Sequence, residues 1–358
     1  MIRRQIFVFI AIILISTTLV GCGGGVALNS QDSGGQSQEL VVAAYGGSFE
    51  KAFKSKVLPE FEKRYNVKVT YITGVSTDTL AKLQAQKDKP EIDVAIMDDG
   101  PHAQAKALGL LEKIDPKKVP NLANVYDMAR DPDDVGVAIG VVATGIAYNT
   151  KYFQDNNLRP PKSWNDLARP EFKGKLVLQS FSNTYGVHTL VMLARTNGGN
   201  ETDIEPGFRK MREVAPLAVT FEKSADVSKY FLQGQAVVAP WSTSRTYTLA
   251  AQGFPVDFVY PQEGAPALFV MASAVKNAPH SELAQTFINF LLDEVSQKAI
   301  AEAVFFGPTN KNVQLPEDVQ KKVVYGEQGF QSLVKMDWPT INQHRAEWSE
   351  RWSKEIER

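Results

Sequence analysis

Asp98 and Asp99 close an apolar run, Ile92-Asp93-Val94-Ala95-Ile96-Met97. A carboxylate desolvated at such a strand end favours a bound cation. Arg245 stands five residues after Pro240, which ends another apolar run. Its planar fork can hold a carboxylate or phosphonate through two parallel hydrogen bonds. A carboxylate taking an amine and a guanidinium taking an acid would together select a zwitterion. Each residue also has a plainer use, as a helix cap or turn carboxylate for the aspartates and as a salt-bridge partner for Arg245. The remaining reactive side chains form no catalytic set: His102, His188, His280 and His344 are scattered, with no HExxH spacing, no GxSxG elbow and no P-loop. Neighbours on an extended strand face opposite ways, which argues against Asp98 and Asp99 as a paired acid and base. The expectation is a non-enzyme with no catalytic residue, no cofactor and no resident metal, a membrane-anchored hydrolase being the weaker alternative.

These groups need a scaffold, and the apolar spacing supplies one. Leu40 to Tyr45 reads as a buried strand entering the turn Gly46-Gly47-Ser48. Phe49, Phe53, Val57 and Phe61 recur at helical spacing through Arg64, and Val67 to Ile72 alternates as a second strand. A helix over Thr77 to Lys87 leads to the third strand, which stops at Asp98-Asp99-Gly100. Such β-α-β order predicts a mainly parallel sheet with helices on both faces. Ligands of these sheets sit beyond the carboxyl ends of the strands, where Tyr45 to Ser48, Thr73 to Ser76 and Asp98 to Gly100 converge. Val135 to Asn149 reads as a long strand crossing between two lobes. The second lobe repeats the pattern. Leu176-Val177-Leu178 ends at Gln179-Ser180-Phe181-Ser182-Asn183, followed by a helix from Tyr185 to Arg195 whose first amides suit an anion. Ala236 to Pro240 closes on Trp241-Ser242-Thr243-Ser244-Arg245, and Phe269 to Val275 reads as a return crossing. Glu282 to Glu302 reads as one amphipathic helix, and Trp338, Trp348 and Trp352 as packing a terminal helix on the second lobe.

The chain has 358 residues, 44% hydrophobic and 22% charged, with 39 basic against 40 acidic side chains. That length carries ordinary soluble composition past one-domain size. A net charge of -1 and the lack of a basic stripe exclude nucleic acid as a partner. One cysteine excludes an internal disulfide framework and Cys-rich zinc modules. Arg3 and Arg4 precede the apolar run Ile6 to Ile15, which reads as a secretory signal. Gly23 to Gln38 carries almost no large apolar residue and reads as a flexible tether.

Several segments together carry a family resemblance: Ala44-Tyr45-Gly46-Gly47-Ser48, Asp93 to Asp98, Gly145-Ile146-Ala147-Tyr148-Asn149, Ser163-Trp164-Asn165-Asp166-Leu167 and Phe306-Gly307-Pro308-Thr309-Asn310. The chain resembles extracellular solute-binding proteins of ABC importers, in the group that holds the spermidine/putrescine-binding proteins. Leu19-Val20-Gly21-Cys22 resembles a bacterial lipobox. That likeness implies removal of residues 1–21 and a lipid on Cys22, placing the protein on the periplasmic or extracellular face of a bacterial membrane. The family implies an α/β, two-lobed type II periplasmic-binding-protein fold, each lobe a mainly parallel sheet flanked by helices and hinged by crossing strands. The expected division is a signal at 1–21, a tether at 22–38, one lobe at 39–142 with 266–304, and a second at 143–265 with 305–358. Its partners would be one small solute, a permease with its cytoplasmic ATPase, and the membrane through the anchor, the protein acting as a monomer.

The strand-end reading, the Arg245 fork and the resemblance together place Tyr45, Gly46, Gly47, Ser48, Ser76, Asp98, Asp99, Ser180, Ser182, Asn183, Tyr185, Trp241, Ser242, Arg245 and Phe306 about the solute. Within that set Trp241 matches an aromatic wall able to pack methylenes or an ammonium, its alternative being lobe packing. The polyamine-binding relatives imply acidic residues where this chain has Ser180 to Tyr185, and an aspartate after an aromatic where it has Ala272 and Val270. A di- or tri-cation needs a carboxylate near each ammonium. The expected solute is therefore amine-containing, either polyamine-like or a zwitterionic amino-acid derivative, opine or aminophosphonate. A ferric-ion-binding transport protein of the same fold is the rival, with Tyr45, Tyr185 and Tyr247 ligating iron beside Asp98.

Overall fold

The structure is a computed structural model, and it describes residues 38–357. Cys22, the expected signal at 1–21 and the tether up to residue 37 lie outside the described residues. Gln38, assigned above to the tether, already belongs to the first strand. Ten strands follow in chain order among the described residues: β1 (Gln38–Ala44), β2 (Val67–Thr73), β3 (Val94–Asp98), β4 (Val137–Asn149), β5 (Leu176–Gln179), β6 (Ala218–Glu222), β7 (Val238–Ser242), β8 (Val256–Val259), β9 (Ala265–Ala274) and β10 (Leu333–Val334). They pair in the order β2-β1-β3-β9-β4-β7-β5-β6, with β10 on β9 and β8 on β4.

The sheet is mixed. β1 runs parallel to β2 and β3, and β5 runs parallel to β6 and β7. Between these parallel triplets β4 and β9 run antiparallel to each other and to their outer neighbours β7 and β3. The reversal follows from connectivity, because β9 comes back from the second half of the chain. β4 changes partner midway: Val137 to Ala143 pair with β9, and Thr144 to Tyr148 pair with β7. At 13 residues it is long enough to serve both halves. Its first 11 residues are buried, which accounts for the apolar run with no helical stripe.

Two large cores result. One gathers β1, β3, β4, β9 and the helices Leu58–Tyr65 and Ser281–Leu291, with Phe61 edge-on to Phe287 at 4.7 Å, and runs on into β7 and β8 through Trp241 and Phe258. The other surrounds β5 and the helix Thr184–Thr196, which Trp348 and Trp352 of the terminal helix Trp338–Glu355 close off. No helix among the described residues is long and apolar enough to cross a membrane.

Three local expectations change. The helix read through Arg64 begins as Ser48–Ala52, widens to a π turn at Phe53–Val57 and resumes as Leu58–Tyr65. Pro59, which has no N–H to give the preceding turn, sits at its restart. The helix read over Glu282 to Glu302 is two, Ser281–Leu291 and Glu294–Val304. Asp293 divides them by accepting from the Ser296 amide at 2.6 Å. The stretch after residue 304, expected in the second lobe, packs first on the other half. Gly307 bridges to Val141, and the Thr309 hydroxyl donates to the Ala138 carbonyl at 2.6 Å. The chain joins the second core from Val334 and Met336 onward, just ahead of the helix from Trp338.

Candidate functional site

Strand ends and helix starts surround a cavity of about 450 Å³. β1 delivers Tyr45, after which Gly47 takes a left-handed φ of 72° and the helix from Ser48 begins. β3 delivers Asp98, which occupies the N-cap position of the helix Asp99–Ala107 without capping it. Its carboxylate instead accepts from the Tyr45 hydroxyl and the Thr184 hydroxyl, each at 2.5 Å, while its amide donates to Ser76 Oγ at 3.0 Å. From the second half, Asn183 caps the helix Thr184–Thr196 by accepting from the Tyr185 amide at 2.9 Å. Gly186 lets that helix approach the preceding loop, since a Cβ there would lie 2.2 Å from the Ser180 carbonyl. β7 ends at Ser242, which caps the helix Thr243–Ala251 and orients Arg245. Phe306 completes the wall by lying over Gly140 and stacking on Phe49 at 5.6 Å.

Burial pushes the Asp98 carboxyl up, while the Thr184, Tyr45 and Ser76 hydroxyls and the Arg245 charge pull it back, leaving it raised. Burial first, then the Asp98 charge, drives the Tyr45 phenol well up, so it stays a donor. Tyr185 is pushed up to about 12 by burial, against the Arg245 charge and a Ser242 hydrogen bond. Arg245 is only 17% exposed, yet its contacts are long: Ser48 Oγ at 3.4 Å and the Asp226 carboxylate at 3.6 Å. An underpaired guanidinium and a hydroxyl-ringed carboxylate thus border one space, whose other walls include Phe49, Val142, Leu268, Val270 and Phe306. Such a site can hold the two ends of a short polar solute while its walls cover the carbon chain.

Of the residues named from the sequence, Tyr45, Ser48, Ser76, Asp98, Ser182, Asn183, Tyr185, Arg245 and Phe306 line this cavity. Six do not. Asp99, one residue past the strand end, turns to the opposite face and lines a different cavity beside Trp338. Trp241 is no aromatic wall: it is 1% exposed, stacks on Phe231 at 6.0 Å and donates its indole N–H to the Ala225 carbonyl at 2.9 Å. Ser180 is tucked behind Ser182, whose hydroxyl donates to it at 3.3 Å. Ser242 works from behind as the cap, and Gly46 and Gly47 shape the turn. Tyr247 also falls outside, within 3.4 Å of Asp257. Thr184, Phe49, Val142 and Leu268 were missed, and Val270, noted only as standing where the polyamine-binding relatives imply an aromatic, lines the wall. Thr184 had a legible signal, a hydroxyl at the first helical position after a strand-end loop. Among the described residues no group of three or more His, Cys, Asp or Glu side chains is placed to hold a metal ion.

Residues 56–325 match the family of bacterial extracellular solute-binding proteins. The spermidine/putrescine-binding periplasmic protein of Escherichia coli (strain K12) is 28% identical over 283 residues, covering 75% of this chain and 79% of that protein. The gamma-aminobutyric acid-binding protein of Pseudomonas aeruginosa is 25% identical over 301 residues, covering 80% and 82%. The crystal structure of an ABC transporter from Clostridium perfringens ATCC 13124 superposes with a TM-score of 0.72 at 26% identity, over 88% of this chain and 99% of that one. With a cavity at converging strand ends, crossing strands between two parallel triplets and a family match over most of its length, the chain belongs to the bacterial extracellular solute-binding proteins and has the type II periplasmic-binding-protein fold.

Proposed function

We propose that this chain is the solute-binding component of an ABC importer and that its cavity takes a small solute carrying an amine and an acid. One observation carries this reading: Asp98 and Arg245 line the same cavity, with apolar walls around them. The amine would sit on the Asp98 carboxylate and the acid on the Arg245 fork. The gamma-aminobutyric acid-binding relative, whose named ligand is such a zwitterion, supports the same chemistry. A polyamine fits less well. Apart from Asp98, the one lining carboxylate is the exposed Asp78, so a second ammonium would be left near Arg245 without a buried partner. Against the iron reading, Tyr247 is not among the residues that line this cavity with Tyr45 and Tyr185.

In this proposal the solute is enclosed between a lobe of residues 39–142 with 266–304 and a second of 143–265 with the terminal helix. The partner switch along β4 supports that division. No chemistry is done on the solute. Cys22 would carry a lipid that keeps a monomer beside its permease and ATPase on the outer side of the membrane. Calorimetric titration of the full chain with 4-aminobutyrate, putrescine, spermidine and ferric citrate tests the solute class. Heat with 4-aminobutyrate and none with the others is the expected result. Tight binding of putrescine or spermidine overturns the zwitterion assignment, and a coloured ferric complex would restore the iron reading.

A further inference from the structure

A second cavity, of about 920 Å³, lies on the opposite side of β9 from the solute cavity. Phe269 and Met271 of β9, Met128, Met336 and Trp338 give it apolar walls, and Asp99 stands among them. Thioether and aromatic side chains of this kind adapt to apolar bodies of varied shape. Trp338 is fixed in the wall. It is 6% exposed, and its ring lies so close to Gly100 that a Cβ there would come within 2.7 Å of it. One turn further along the same helix, Asn342 donates to the Gly100 carbonyl at 3.2 Å and accepts from Gln104 at 3.1 Å. The helix Asp99–Ala107 and the terminal helix thus hold this wall between them.

Pairing sorts the charged groups that face this cavity. Asp131 takes Lys106 at 2.9 Å and His102 at 3.3 Å, and Lys106 also reaches Asp133 at 2.7 Å. Arg130 reaches Asp134 at 3.2 Å, and Lys335 stands exposed, where water screens it. Asp99 has no such arrangement. It forms no ion pair among the described residues, and its Oδ1 is enclosed without a hydrogen-bond partner, as is the indole N–H of Trp338. Burial, helped by the Asp98 charge, raises its carboxyl to about 8, the condition of a buried acid without a counter-charge. A carboxylate has acceptor capacity for an indole N–H and an ammonium together. Polar groups shut away from water call for partners, and a buried acid is best matched by a cation.

We propose that the cavity behind β9 is a second binding site, taking an organic cation whose apolar body lies against Trp338, Phe269 and the methionines and whose ammonium pairs with Asp99. The site is separate from the solute cavity and stands whatever solute that cavity takes. 2-Phenylethylamine and phenylacetate share a ring and differ in the sign of the head group, and they serve as probes, titrated into the full chain by calorimetry. The amine is expected to bind saturably and at least about tenfold more tightly than the acid. Asp99→Asn should weaken the amine by at least about tenfold. Asp98→Asn, which removes the buried carboxylate of the solute cavity, should leave the amine within about threefold of wild type and so locate it behind β9. No saturable binding of the amine, binding of phenylacetate as tight or tighter, or loss of the amine in Asp98→Asn with none in Asp99→Asn would each overturn the proposal. Should Asp99→Asn fail to fold, Asp99→Ser and the Asp98→Asn titration decide the matter.

Discussion

Asp98 and Asp99 are chain neighbours with opposite surroundings, and so are the two faces of β9 beside them. Leu268 and Val270 face the solute cavity, whereas Phe269 and Met271 face a second cavity of about 920 Å³. Both cavities hold charge. Behind β9, Asp131 takes Lys106 at 2.9 Å and His102 at 3.3 Å, and His102 is held in turn by Ser273 at 3.1 Å. In front, Arg245 finds only a 44%-exposed carboxylate at 3.6 Å. A charge already paired within the protein stabilises the fold, whereas one held dry and underpaired stabilises a ligand. Pairing, more than the presence of charge, separates scaffold from site.

The sharpest way to break this comparison is to remove the front charges. Arg245→Ala should weaken 4-aminobutyrate by at least about 100-fold, and Asp98→Asn by a comparable factor, with melting temperatures near wild type. Unchanged affinity in both would dissolve the distinction. The back pair should behave in reverse, with Asp131→Asn costing about 2–3 kcal/mol of stability in denaturant melts and no solute affinity. Burial pushes Asp131 up, but hydrogen bonds from His102 and Lys106 outweigh it and hold the carboxyl well below its usual range. This stabilisation is present above the unfolded-chain value of about 4 and is lost as pH falls below it, so the variant's deficit should shrink in acid.

Asp99 sharpens the contrast by having the opposite sign. Burial, with help from the Asp98 charge, raises its carboxyl to about 8. The native state then keeps a proton that the unfolded chain loses near pH 4, so this contribution is full below that pH and lost as pH rises through about 8. Asp99→Asn should raise the melting temperature at pH 9, by about 1–2 kcal/mol of stability, and change little at pH 4. A variant no more stable than wild type at pH 9 would remove the case for a costly buried acid behind β9. The smallest effect belongs to Trp241→Phe, which loses the bond to the Ala225 carbonyl and about 1 kcal/mol of stability while solute affinity holds. A tenfold affinity loss there would return Trp241 to the site.

Periodicity made most of the scaffold legible. The strands ending at Ala44, Thr73, Asp98, Gln179 and Ser242 lie within a few residues of their apolar runs, because burial of those runs is what creates them. The breaks at Pro59 and Asp293 were visible residues read through in favour of a continuous stripe. Site residues were legible where the backbone itself delivers them at a strand end, as with Tyr45, Asp98 and Ser182. Val142, Leu268 and Val270 look like any core residue, since an apolar side chain on a crossing strand has the same pattern whether it covers a solute or another side chain.

The amino-acid sequence by itself determined which strand ends carry polar loops and that these converge at one crevice. Those features follow from local periods and residue chemistry. Tertiary structure decided that Asp98 rather than Asp99 enters the cavity, that Trp241 packs behind it, and that a helix from the far end of the chain fastens to the helix Asp98 heads. Each of these depends on which face of a strand meets which neighbour, a choice made by packing between segments far apart in the chain.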